Sequence, residues 1–145
     1  MKRVTPPIRH FATRLVIHET GGKAVAEVTP AESFQVCQRL QLPLSTLMGS
    51  GGFRALLTRA LALAKEQVPW LHVVRVNADG TLEGLDEVEK QVEPKHLIEG
   101  SSVLLAELLG LMVAFIGAAL TVGLVREVWP EIKVNDSEFF SEGTE

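Results

Sequence analysis

The longest apolar run lies near the carboxyl end of the chain. Residues 108–125 contain no charged residue, and Val103–Leu105 extend the run across Glu107. A helix over Val103–Val125 would be about 34 Å long, and a hydrocarbon core of about 30 Å requires roughly this length. The pattern therefore predicts one continuous apolar helix that is long enough to cross a bilayer.

Boundary residues flank this predicted helix. Gly100–Ser102 precede it, and serine hydroxyls accept hydrogen bonds from the first backbone N–H groups of helices. Trp129 and Pro130 follow it. Both are boundary signals, because proline cannot continue a helix and tryptophan is common at membrane interfaces. Glu107 would be unfavourable at the centre of a span, by roughly 2.5 to 3.5 kcal/mol, but it lies in the second turn, where the penalty is smaller.

Small residues recur along one face of the predicted helix at spacings of three and four. Such a face lets a second helix approach closely, in lipid or in water. The predicted helix-packing face consists of Glu107, Gly110, Ala114, Gly117 and Thr121.

Three interpretations fit the apolar helix. It can span a membrane, or it can be the central helix of a soluble bundle, because a helix that is apolar on all sides is buried in either setting. The third interpretation is a helix that is stored in water and inserts into a bilayer on demand. Of these we expect the membrane span.

Residues 14–28 fit two predictions. In the first, Arg14–His18 and Ala24–Val28 are strands joined by a turn at Thr20–Gly22. In the second, a helix begins at Thr5-Pro6 and ends at Gly21, with one apolar face formed by Ile8, Phe11, Ala12 and Leu15. We expect a short helix followed by a hairpin.

The middle of the chain gives clearer signals. Thr29–Glu32 form a capping box with proline at the first helical position, and this predicts a helix that continues toward Pro43. A glycine-rich loop at Met48–Gly52 then precedes a periodic helix from Phe53 to Val68.

Further on, Leu71–Val76 is typical of a strand, and Ala78–Gly80 of a turn that leads to a second short strand. Leu85–Val92 is an acidic amphipathic helix. The predicted fold class is mainly α with a small β element. We expect a small helical domain over 1–95, a long hydrophobic helix within 96–129 and an acidic mobile tail over 130–145.

Charge is unevenly distributed along the 145 residues. The net charge is −4, and six of the 18 acidic residues follow Val125. The tail also carries Phe139 and Phe140, which fit either a docking peptide or a frayed terminus. No basic face is present, so we expect no nucleic-acid partner.

Cys37 is the single cysteine, which excludes an intramolecular disulfide and favours a reducing compartment. The amino terminus has no apolar segment typical of a signal peptide. We therefore expect a tail-anchored protein with its amino-terminal domain in the cytoplasm. The alternative is a soluble cytoplasmic protein.

Few residues suggest chemistry. Gly49, Ser50, Gly51 and Gly52, followed by Arg54, form a weak candidate for anion binding, because loop amides and a helix amino terminus attract negative charge. This segment lacks the Gly-Lys-Ser/Thr ending of a P-loop. The four histidines are scattered, so we expect no metal ion or cofactor.

These observations predict a non-enzymatic regulatory or interaction protein. Its apolar helix would anchor it in a membrane and bind partner helices. The alternatives are a soluble adaptor or homo-oligomer with that helix buried, and an effector that perforates membranes with a hidden helix.

Overall fold

Six α-helices and one two-stranded hairpin make up residues 4–134, the part of the chain that the computed structural model describes. The predicted mainly helical fold with a small β element is confirmed. The helices are α1 (Pro6–Glu19), α2 (Pro30–Gln38), α3 (Gln41–Gln67), α4 (Leu85–Gln91), α5 (Pro94–Ile116) and α6 (Ala118–Val128). The strands are β1 (Arg75–Val76) and β2 (Leu82–Glu83).

Helix α1 replaces the predicted hairpin. Thr5 caps the helix by accepting a hydrogen bond from the Ile8 amide, and proline occupies its first turn. The predicted strand Arg14–His18 is wrong because α1 runs through it, and residues 25–27 form only a short 3-10 turn. The buried face of α1 is the one predicted for a helix. Packing of α1 against α5 outweighs the β propensity of the branched residues in α1.

The capping box of α2 is confirmed. Thr29 Oγ1 accepts a hydrogen bond from the Glu32 amide at 3.2 Å, and Glu32 Oε1 accepts one from the Thr29 amide at 3.0 Å. The Glu32 carboxylate also pairs with Lys23. The hydrogen bond from Lys23, followed by that from the Thr29 backbone, lowers the pKa of Glu32.

Helix α3 runs through the segment predicted to be a glycine-rich loop. Residues on both sides are helical, and only Gly49 departs from helical geometry, with φ 86° and ψ 157°. The predicted loop at Met48–Gly52 is therefore wrong. A kink at one glycine takes the place of the predicted five-residue loop.

Helix α5 passes through the middle of the structure. Every residue from Gly100 to Met112 is buried, and the helix packs mainly against α1 and α3, with further contacts to α2 and α6. The predicted single helix over Val103–Val125 is wrong at both ends. The helix begins earlier, at Pro94, and it ends at Ile116 because Gly117 adopts φ 90° and ψ 158°.

The turn of the hairpin lies where the sequence predicts it, but most of the predicted strand Leu71–Val76 is wrong, because Pro69–Val73 form a 3-10 helix and β1 contains only Arg75 and Val76. Arg75 pairs with Glu83 and Val76 with Leu82. Asp79 holds the turn between the strands by accepting a hydrogen bond from the Thr81 amide at 3.0 Å.

The chain after α6 returns to α1. Trp129, expected at a membrane interface, is fully buried, and its Nε1 donates to Glu19 Oε2 at 2.7 Å. This partner satisfies the indole N–H inside the protein, so the residue needs no lipid headgroup. Arg14 donates to the Lys133 carbonyl at 3.0 Å. Residues 135–145 of the predicted tail, with Phe139 and Phe140, lie outside the described residues.

Substitution of Gly100 tests the packing of α5. An added Cβ would overlap the Trp70 indole, so Gly100→Ala should lower the free energy of unfolding by about 1 to 3 kcal/mol. Gly123→Ala is the matched control, because it lies in α6 with open space around it and should stabilise by up to about 1 kcal/mol. Chemical denaturation followed by circular dichroism measures both. A Gly100→Ala variant as stable as the native protein would contradict this packing.

Candidate functional site

The predicted helix-packing face is divided by the structure. Glu107 and Gly110 are buried in α5, and Glu107 Oε2 accepts a hydrogen bond from Gln67 Nε2 of α3 at 2.6 Å. Ala114 is exposed, Gly117 is the helix break, and Thr121 is buried in α6. Since the break changes the course of the backbone, the five residues do not form one helical face. The first two contact the protein's own core.

The weak anion-site candidate lies at the kink of α3. Gly49, Ser50 and Gly51 are exposed and Gly52 is half-buried. The Arg54 guanidinium is directed away, because its Nη1 donates to the Ala78 carbonyl at 2.9 Å. The structure therefore places this arginine against the β1–β2 turn, and anion binding at the glycines stays a prediction.

Charge is nearly absent from two segments that lie side by side. Residues 41–58 of α3 contain one charged residue, Arg54, and residues 108–125 of α5 and α6 contain none. We call these two segments together the low-charge region. A surface without charge is poorly suited to water when its side chains are also apolar and exposed.

Large apolar side chains are exposed in the low-charge region. Leu42 is 77% exposed, Phe115 68%, Leu120 52% and Leu47 48%. Within residues 4–134 only two other large apolar side chains, Ile17 and Val25, are exposed. Single exposed leucines are ordinary on protein surfaces, but their concentration in one region makes this region the candidate contact surface.

Two grooves lie on this part of the surface, between α3 and its neighbouring helices. The α3–α6 groove has a volume of about 440 Å³ and is lined by Leu42, Pro43, Thr46, Leu47, Leu124, Glu127 and Val128. The α3–α5 groove has a volume of about 510 Å³ and is lined by Met48, Gly52, Ala55, Leu56, Arg59, Leu111, Ala114 and Phe115. Each groove therefore contains one charged side chain, at a surface that is otherwise almost entirely apolar.

The order of the lining residues gives the helix directions. Residues 42–47 face 124–128, whereas residues 48–59 face 111–115, so α3 runs antiparallel to α5 and α6. Gly117 falls between the segments that line the two grooves, and Gly49 directly follows Met48, the first α3 residue of the α3–α5 groove. Gly49 and Gly117 share almost the same backbone geometry, in a region that is essentially restricted to glycine.

Two kinds of site, a metal cluster and a reactive thiol, can be checked in the described residues. Among residues 4–134, no three His, Cys, Asp or Glu side chains are close enough to hold a metal ion. Cys37 is fully buried, and burial raises the pKa of its thiol to about 12. The thiol is thus protonated at neutral pH and unreactive.

Among residues 4–134, one helix, Pro94–Ile116, is long and apolar enough to cross a membrane. Its most apolar 18-residue segment has a mean hydropathy of 1.8, and 78% of that segment is buried inside the protein.

No protein family, curated protein or solved structure matches this chain.

The sequence pattern does not single out Leu42 and Leu47 as surface residues. A signal was nevertheless present, because residues 41–53 contain no charged residue. Phe115 and Leu120 lie within the predicted apolar helix, but their exposure depends on where the other helices end. That information is not contained in a helical periodicity.

Substitution of Gly117 tests the helix break. Alanine is strained at φ 90° and ψ 158°, so Gly117→Ala should lower the free energy of unfolding by about 1 to 3 kcal/mol. Gly51→Ala is the control, since Gly51 lies in α3 at negative φ with open space around it. Thermal denaturation of both variants provides the measurement. Equal stability of Gly117→Ala and Gly51→Ala would argue against the break.

Burial of Cys37 predicts slow thiol chemistry. A soluble disulfide reagent at pH 8 should label the native protein only through opening of the α2 packing, and should label it rapidly in denaturant. The absorbance of the released thiolate gives both rates. Rapid labelling of the native protein would show that the thiol is accessible.

Proposed function

We propose that this chain is a non-enzymatic interaction protein that attaches to a membrane surface through its low-charge region. The observation that carries the proposal is the concentration of exposed apolar side chains, Leu42, Leu47, Phe115 and Leu120, in a region with a single charged residue. A lipid interface accepts such side chains without the cost of hydrating them.

Burial of α5 favours surface attachment over a membrane span. A span would require α5 to leave its contacts with α1 and α3, which cover it from Gly100 to Met112. The exposed part of the apolar run, residues 113–120, contains the corner between α5 and α6. This corner reaches the interface while the core stays intact.

The expected attachment is weak and reversible. Full burial of a large apolar side chain contributes about 1.5 to 3 kcal/mol, so four side chains that are about half to three-quarters exposed contribute roughly 4 to 7 kcal/mol before the costs of association. After those costs the attachment is no stronger than that of a single myristoyl chain, which binds membranes with a constant of about 10⁴ M⁻¹. Stable residence at a membrane would therefore require a second contact, such as a partner helix.

A second candidate function is a soluble adaptor in which the same surface binds an apolar helix of a partner or of a second copy. The α3–α6 groove, with its apolar lining, supports this alternative. An effector that releases α5 into a bilayer is the least favoured, since it would lose the buried contacts of that helix.

Vesicle sedimentation tests the proposed attachment. The native protein should sediment with phosphatidylcholine–phosphatidylglycerol vesicles, and a Phe115→Ser/Leu120→Ser variant should bind at least about tenfold more weakly because it loses two inserting side chains. The matched control is Ile17→Ser/Val25→Ser, which removes two exposed apolar side chains elsewhere and should bind like the native protein.

Equal sedimentation of the two double variants would contradict attachment through the low-charge region. If the native protein does not bind vesicles but self-associates, as measured by light scattering, the result would support the adaptor function. Leakage of dye from the vesicles would instead support the effector.

A further inference from the structure

The α3–α5 groove has the shape of a site for one extended chain. Beyond the kink at Gly49, its α3 side runs from Gly52 to Arg59, which corresponds to about 10 Å along a helix, and Met48 extends the lining across the kink. Leu56 and Leu111 are buried below it, and Phe115 stands beside it, 68% exposed. The volume of about 510 Å³ lies within the range typical of small-molecule sites, which is about 300 to 1,000 Å³.

Small residues keep this groove open. Gly52, Ala55 and Ala114 line it, and longer side chains at these positions would occupy its space. Ala55 is exposed, so its side chain is not part of the core packing. The groove can therefore be filled or left empty without unfolding the protein. The apolar walls select an apolar ligand, since a polar ligand would lose its hydration without gaining hydrogen bonds.

One positive charge marks the end of the groove. Arg59 is the only charged residue in its lining, and it is exposed. Within residues 4–134 no acidic side chain forms an ion pair with it. Its guanidinium thus has donors to offer to a ligand anion.

We infer that the α3–α5 groove binds a single-chain anionic amphiphile, a fatty acid, with the acyl chain between α3 and α5 and the carboxylate at Arg59. Phe115 then covers the acyl chain, which accounts for an aromatic ring exposed beside an apolar channel. The inference deepens the proposed function, because the groove lies in the low-charge region that would rest on the lipid surface from which such a ligand comes.

Isothermal titration calorimetry with alkyl carboxylates below their micelle concentrations tests the inference on the full chain. Decanoate and dodecanoate should bind saturably at one site, with affinity rising about fourfold for each added methylene. The rise should stop once the chain exceeds the length of the groove. Arg59→Gln should weaken dodecanoate binding about two- to fivefold, as expected for an exposed ion pair, and should leave dodecyl maltoside binding unchanged.

A matched pair of alanines separates the groove from the rest of the surface. Ala55→Trp fills the groove and should abolish dodecanoate binding, whereas Ala62→Trp places the same side chain at an exposed alanine of α3 outside the groove and should preserve it. Circular dichroism confirms that both variants are folded.

Non-saturable binding, equal binding by Ala55→Trp and Ala62→Trp, or equal binding of the cationic dodecyltrimethylammonium would overturn the inference. Vesicle sedimentation of the native protein is measured alongside. Sedimentation without saturable dodecanoate binding removes the fatty-acid site and leaves the proposed function standing. Absence of sedimentation contradicts the proposed function. The calorimetry tests fatty-acid binding in the α3–α5 groove independently of that result.

Discussion

The burial of α5 by its own chain is the interaction on which the rest of the structure depends. A helix that is apolar on all sides requires neighbours on all sides, and α1 and α3 supply most of them. Two details make the fit possible. Gly100 has no side chain where the Trp70 indole lies against the helix, and the Glu107 carboxylate finds a hydrogen-bond partner in Gln67. Without such a partner, this carboxylate would oppose burial.

The cover over α5 ends at Met112, and the exposed apolar surface begins there. Beyond this residue the helix is only partly covered, and Gly117 breaks it before it can extend into water. Gly49 breaks α3 in nearly the same conformation. Exposed side chains close to the two breaks, such as Phe115 and Leu47, line two grooves.

Local signals account for the parts of the fold that the sequence predicts. The capping box at Thr29 and the turn at Asp79 are built from hydrogen bonds between residues two or three positions apart, so their sequence patterns are sufficient. The helix breaks are different. Glycine is compatible with a helix interior and with a break, so the sequence around Gly49 and Gly117 does not by itself predict which of the two occurs. The burial of Trp129 likewise depends on Glu19, which is distant in sequence.

The same distinction decides how the apolar run is interpreted. Its length and composition are equal for a membrane span and for a core helix, so neither property identifies the setting. The exposed residues are more informative. Polar side chains at Leu42 or Phe115 would leave the buried core unchanged, because these positions are mostly in solvent. Stability therefore does not require apolar residues there. Apolar residues clustered where the fold does not need them support the proposed contact outside the chain.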